Sequence, residues 1–173
     1  MMGRASPPLA LRPFLAEDAP LLAEIFRESV LELTADDYSE AQQGAWIASA
    51  DDLDAFTKRL GGQLTLIATL QGSPVAFASL AASRKIDMLF VHPAAVGRGA
   101  ATMLLDALEK LAVRRGTEKL TVDASDSARG FFEKHGYIAQ QRNSISVGDE
   151  WLANTTLSKA LDVPPVPPEV MSL

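Results

Sequence analysis

Cysteine is absent from the 173 residues, so disulfides, thiolate metal sites and a cysteine nucleophile are all excluded. Histidine is scarce: His92 and His135 stand alone, without the spacing of a zinc site, and no metal is expected. Positive charge is in deficit, 16 Lys and Arg against 22 Asp and Glu, for a net charge of −6. Binding to nucleic acid needs a basic face, so that class of partner is not expected, whereas cationic small molecules or basic peptides suit an acidic surface. No hydrophobic run approaches the roughly 20 residues of a membrane span. The first eight residues, MMGRASPP, lack the apolar stretch of a signal peptide, and the expected location is cytoplasmic. What is present is a composition of 47% hydrophobic and 22% charged residues, an ordinary globular balance in a chain long enough for one well-buried domain.

The pattern along the chain places that domain at residues 9–161, between loose ends at 1–8 and 162–173, the latter reading DVPPVPPEVMSL. A short strand is predicted at Leu9–Phe14. A helix follows through AEDAPLLAEIFRESVLEL, capped by Asp18, with Leu22, Ile25, Phe26 and Val30 at helical spacing. YSEAQQGAWIAS and DDLDAFTKRL read as two shorter helices, the second opened by aspartates and closed by Gly61 and Gly62. Strands are predicted at Leu64–Leu70, Pro74–Ala82 and Lys85–Val91, the first two joined by the turn signal QGS. An amphipathic helix is predicted from Gly99 to Arg115, then a strand at EKLTVDAS and a short helix at SARGFFEKHGY. Two last strands, near Ile138–Val147 and Trp151–Ala160, turn at Gly148 and Asp149. Antiparallel hairpins around one strand–helix–strand crossover give a mixed α+β fold: a mostly antiparallel sheet of about seven strands with helices on both faces.

The stretch VHPAAVGRGAATMLL, residues 91–105, carries the chemistry. A helix start leaves backbone N–H groups without internal partners and bears partial positive charge. Gly97, Arg98, Gly99, Ala100 and Ala101 bring two glycines, two alanines and a cation to that start, which lets a bulky anion such as a diphosphate approach. A glycine before a helix is also a common turn, and the residue types alone leave that alternative open. A P-loop would need a lysine after the second glycine, and a dinucleotide-binding fingerprint would need a third glycine and repeated βαβ units; neither is here.

These residues resemble the GCN5-related N-acetyltransferase (GNAT) superfamily. Its acetyl-coenzyme A motif, [R/Q]-x-x-G-x-[G/A], is matched at Gly99 and Ala101, with Val96 in place of Arg or Gln. DASDSARGFFEKHGY resembles the second signature, N-x-x-A-x-x-F-Y-x-x-x-G-[FY], at Ala128, Phe131, Gly136 and Tyr137, with Ser125 in the Asn position. DDYSEAQQGAW looks like the YafP-like bacterial branch.

The resemblance implies the acyl-CoA N-acyltransferase fold, with acetyl-CoA as co-substrate and an amine acceptor, and relatives that often form homodimers. Acetyl-CoA would enter a V-shaped opening between the fourth and fifth strands, bonding backbone near Leu89, Phe90 and Val91. Its diphosphate would lie on residues 97–102, Thr102 included, with Arg98 on phosphate or simply solvated, and Val96, Ser125 and Phe132 count among the cofactor-binding positions by the motifs they occupy. A bulge in the fourth strand would aim one N–H at the acetyl carbonyl. Relatives use the signature tyrosine to protonate the departing thiolate; Phe132 stands there, which leaves open an acyl-CoA-binding module without turnover. Asp87, on the fourth strand, is the candidate base, against a plain edge charge. Tyr38 and Trp46 are candidates for the acceptor wall, Trp46 also for packing. Asp36, Asp37, Asp51, Asp52 and Asp54 would draw in a cationic amine, or serve as helix-start residues.

Overall fold

The computed structural model describes residues 8–165. Of the ends that the sequence reading set apart, residues 1–7 and 166–173 lie outside the described residues. Seven strands form one sheet in the order β1-β2-β3-β4-β5-β7-β6. They are β1 (Leu9–Pro13), β2 (Leu64–Leu70), β3 (Ser73–Ala81), β4 (Lys85–Val91), β5 (Lys119–Ser125), β6 (Ile138–Val147) and β7 (Glu150–Ala160). Helices α1 (Ala19–Leu33), α2 (Glu40–Ile47) and α3 (Leu53–Gly61) separate β1 from β2. Helix α4 (Ala100–Arg114) crosses from β4 to β5, and α5 (Arg129–Lys134) follows β5. Every strand pair is antiparallel except β4–β5, which the crossover makes parallel. The mixed sheet read from the sequence is the sheet observed.

The core divides at the sheet. On β3, Phe77 packs with Leu22, Ile25, Phe26 and Leu60 of the α1–α3 side, while its neighbours Ala76 and Ala78 pack with Leu104, Leu105 and Leu108 of α4. Successive side chains of a strand point to opposite faces, so helices cover both sides. No helix among the described residues is long and apolar enough to cross a membrane.

Local boundaries differ from expectation where a side chain has a better partner. Asp18 does not cap α1: its carboxylate takes two bonds of 2.8 Å from Arg12 and one of 2.8 Å from the Leu15 N–H. Helix α2 starts at Glu40, because the Ser39 hydroxyl accepts from the Gln42 N–H, and Gln42 returns the bond to the Ser39 N–H. Gly62 ends α3 at φ −84°, an ordinary conformation, whereas Gly116 after α4 adopts the left-handed φ of +80°. Asp52 caps α3 as expected, accepting from the Ala55 N–H.

Leu104 is fully buried where α4 meets the sheet. Leu104→Ala is expected to cost about 2–5 kcal/mol in urea or guanidinium unfolding; a loss below about 1 kcal/mol would show that α4 is not packed as described.

Candidate active site

A bulge in β4 organises the site. Ser79 of β3 pairs with Met88 while Leu80 pairs with Ile86, so Asp87 is an extra residue. Its effect is visible in the packing. Ile86 belongs to the α4 side of the core, and Met88 and Phe90 to the α1–α3 side, although simple alternation would put residues 86, 88 and 90 on one face.

At the same place β4 leaves β5. The two strands pair only at Lys85 with Thr121 and Ile86 with Val122. Beyond Ile86 they diverge into the V-shaped opening. The ladder's phase decides which backbone groups face it. The His92 N–H donates to the Val75 carbonyl at 2.8 Å, so residues 92, 90 and 88 bond toward β3 while Leu89 and Val91 turn their N–H and C=O outward. The Thr121 N–H donates to the Arg84 carbonyl, so Asp123 and Ser125 face the opening from the β5 side. Phe90 is therefore a correction: its backbone serves β3, and its ring packs edge-on against Phe26 at 4.8 Å between centroids.

Where the opening meets α4, His92 accepts from the Ala94 N–H and caps a 3-10 turn at Pro93–Ala95. Gly97 and Gly99 then take φ of +85° and +86°. A Cβ at either would meet no heavy atom within 4 Å, so glycine is there for conformation, and space lies open above both. No side chain caps α4, which leaves the N–H groups of Ala100, Ala101 and Thr102 directed at that space. Val96 and Arg98 are exposed. The Thr102 hydroxyl lies 3.2 Å from His135 Nε2.

Several predicted roles change. Asp87 is not a free base: Arg59 grips it through two bonds of 2.8 and 2.9 Å, and Gln63 donates a third at 2.9 Å. Burial pushes its carboxyl up, but those bonds and the charges of Arg59 and Lys85 outweigh burial and hold it below the ordinary range. Tyr38 is buried rather than lining an acceptor surface. Its hydroxyl donates to the Ala153 carbonyl at 2.6 Å and accepts from the Asp126 N–H at 2.9 Å. Burial raises its phenol, so it stays protonated. Trp46 is half-buried and packs edge-on against Tyr38, Phe26 and Phe90. Phe132, 2% exposed, lies in the α4-side core against Phe131 and Tyr137 and does not line the opening. The Ser125 hydroxyl accepts from the Ala128 N–H at 3.1 Å, closing the β5–α5 turn. Asp37 accepts from Ser127 at 2.7 Å, so it braces the same turn.

Arg59, Gln63, Asp126 and Arg142 gave no signal in the sequence. Arg142 binds Asp126 through two bonds of 2.7 and 2.9 Å, and Tyr38 ties that turn to β7. The β5 lip of the opening is thus fixed from outside.

Residues 34–152 match the acetyltransferase (GNAT) domain family. The chain is 32% identical over 146 residues to the uncharacterized N-acetyltransferase YafP of Escherichia coli K12, covering 84% of this chain and 92% of that protein. The crystal structure of a GCN5-related N-acetyltransferase from Rhodopseudomonas palustris is 60% identical, with a TM-score of 0.88 over 93% of this chain and 99% of that one. The PaiA N-acetyltransferase of Thermoplasma acidophilum, in complex with coenzyme A, shares the fold at 19% identity, with a TM-score of 0.73 over 88% of this chain and 99% of that one.

Tyr38→Phe removes a hydroxyl that both donates and accepts in a buried place. The variant is expected to lose about 1–3 kcal/mol in denaturant unfolding. Wild-type stability would show that the hydroxyl does not tie α2's approach to β5 and β7.

Proposed function

Because the chain belongs to the GNAT acetyltransferase family, its activity is N-acetyl transfer with acetyl-CoA as co-substrate, and we propose that the transfer is direct, to an amine of a small molecule or peptide. The observation that carries this reading is the divergence of β4 and β5, with its unpaired backbone groups, opening onto an uncapped helix start. The extended amide arm of the coenzyme suits the outward backbone of Leu89 and Val91 as an added strand would. Its diphosphate suits the N–H groups of residues 97–102, with Arg98 beside them.

This chain's residues divide the work unevenly. Backbone N–H groups of β4 are the donors available to a carbonyl oxygen in the opening, and fixed donors stabilise the charge that develops when an amine attacks a thioester. Side-chain acid–base groups are fewer. Phe132 has no proton to give. Tyr137 is buried without a hydrogen-bond partner, and burial and the Glu109 charge raise its phenol far above the ordinary range. Tyr38 is engaged at both sides of its hydroxyl. The amine enters already neutral; as its C–N bond forms and the C–S bond breaks, the nitrogen gives up a proton to solvent and the departing thiolate takes one from solvent. The acidic residues on α1–α3 and their loops suit a cationic acceptor on that side of β4.

Purified protein given acetyl-CoA and a panel of amines tests the function: CoA released with some acceptor supports the enzyme. Tight coenzyme binding without turnover on any amine would make it a binding module. Gly99→Val forces a β-branched residue to φ of +86°, at a backbone cost of about 1–2 kcal/mol. It is expected to weaken coenzyme binding at least tenfold while lowering the melting temperature by only about 2–8 °C. A collapsed fold with normal residual affinity would reduce the glycine to a turn residue. With no carboxylate base, kcat/KM should rise with pH until the acceptor amine's own pKa is passed, because the neutral fraction grows. Asp87→Asn should leave that inflection in place; a profile flattened by the substitution would restore Asp87 as the base.

A further inference from the structure

Resting on the coenzyme site proposed above, we propose that His135 is a positioning residue for that site, setting the direction of the Thr102 hydroxyl at the first turn of α4. The contacts are specific. His135 Nδ1 lies 2.8 Å from the Phe131 carbonyl, and its ring packs against Phe131 at a tilt of 42°, with centroids 4.4 Å apart. A carbonyl only accepts, so Nδ1 carries a hydrogen in both charge states of the ring. Nε2, 3.2 Å from the Thr102 oxygen, is then the nitrogen that gains or loses a proton. In neutral His135 it is an acceptor, and the Thr102 hydroxyl hydrogen points at it, leaving oxygen lone pairs toward the open side of the helix start.

When solvent delivers a proton to Nε2, the direction reverses. The ring now donates to the Thr102 oxygen, and the hydroxyl hydrogen is released to point into the space where the diphosphate lies. One proton therefore adds a donor to the anion site and a positive charge behind it. The charged groups on the elements that meet there are Glu133 and Lys134 on α5, Arg129 paired with Glu133, Asp106 one turn along α4 from Thr102, and Lys159 of β7. Lys159 passes beside Gly136 and is held by Glu109 at 2.6 Å. His92, the other imidazole, is turned the other way: its Nδ1 accepts from the Ala94 N–H and caps the turn that leads to the loop.

The experiment measures binding of 3′-dephospho-CoA by calorimetry from pH 5.5 to 8; removing the 3′-phosphate removes a ligand group that titrates near about 6. Wild-type affinity is expected to tighten about threefold to tenfold on acidification, the worth of one added solvent-exposed hydrogen bond of ordinary strength. His135→Asn should bind with a flat profile at the weaker, high-pH affinity, Thr102→Val should keep only the shallower slope that the ring's charge supplies, and Thr102→Ser should restore the full slope. A slope unchanged in His135→Asn overturns the proposal, as does one that the substitution reverses. Nitrogen NMR of wild-type protein at pH 8 gives a readout that no variant needs to fold for: His135 should carry its proton on Nδ1, and an Nε2–H tautomer would overturn the proposal. Absence of binding at every pH, with the tautomer as stated, would instead sink the coenzyme site itself.

Discussion

Between Ile86, packed under α4, and Met88, packed against α1–α3, β4 must change faces within one residue, and the site follows from how it does so. The extra residue at 87 twists the strand and ends its pairing with β5. A sheet interior normally satisfies every backbone group. Here Leu89, Val91 and Asp123 keep theirs open because the neighbouring strand has turned away, whereas the Ser125 carbonyl is taken by the Ala128 N–H. In the proposed reading, an extended ligand with amides of its own would complete the ladder that the fold leaves unfinished.

Such an opening closes unless both lips are held. The β4 lip is held by Asp87, whose half-buried carboxylate is balanced by Arg59 and Gln63, and by the rings of Phe26, Phe77 and Trp46 around Phe90. The β5 lip is held from the far side of the chain. Tyr38 bonds to Asp126 and Ala153, Arg142 grips Asp126, and Asp37 accepts from Ser127. Residues that looked like reactive groups are struts. Buried polar groups cost free energy unless paired, and their pairing here spends the lone pairs and protons that acid–base work would need. In the proposed mechanism that exchange leaves backbone dipoles, rather than side chains, to supply most of the electrostatic help.

Strand and helix identities, the two glycines before α4 and the single parallel crossover were legible in the sequence because each is set by local means. Period-two and period-3.6 patterns identify faces, and φ near +86° at Gly99 is a demand on one residue. The bulge was anticipated only by resemblance, since one extra residue in a seven-residue strand barely disturbs its alternation. Phe132 was legible as lacking a hydroxyl, and its burial was not.

What the sequence determined by itself is the order of elements, the anion-ready start of α4 and the want of a phenol at position 132. What the tertiary structure alone decided is the employment of side chains: Asp87 with Arg59, 28 residues away, Tyr38 with Ala153, 115 away, and Thr102 with His135, 33 away. The physical reason is that a hydrogen bond is a matter of a few ångströms, and separations along the chain say nothing of distance until the sheet has brought its strands together.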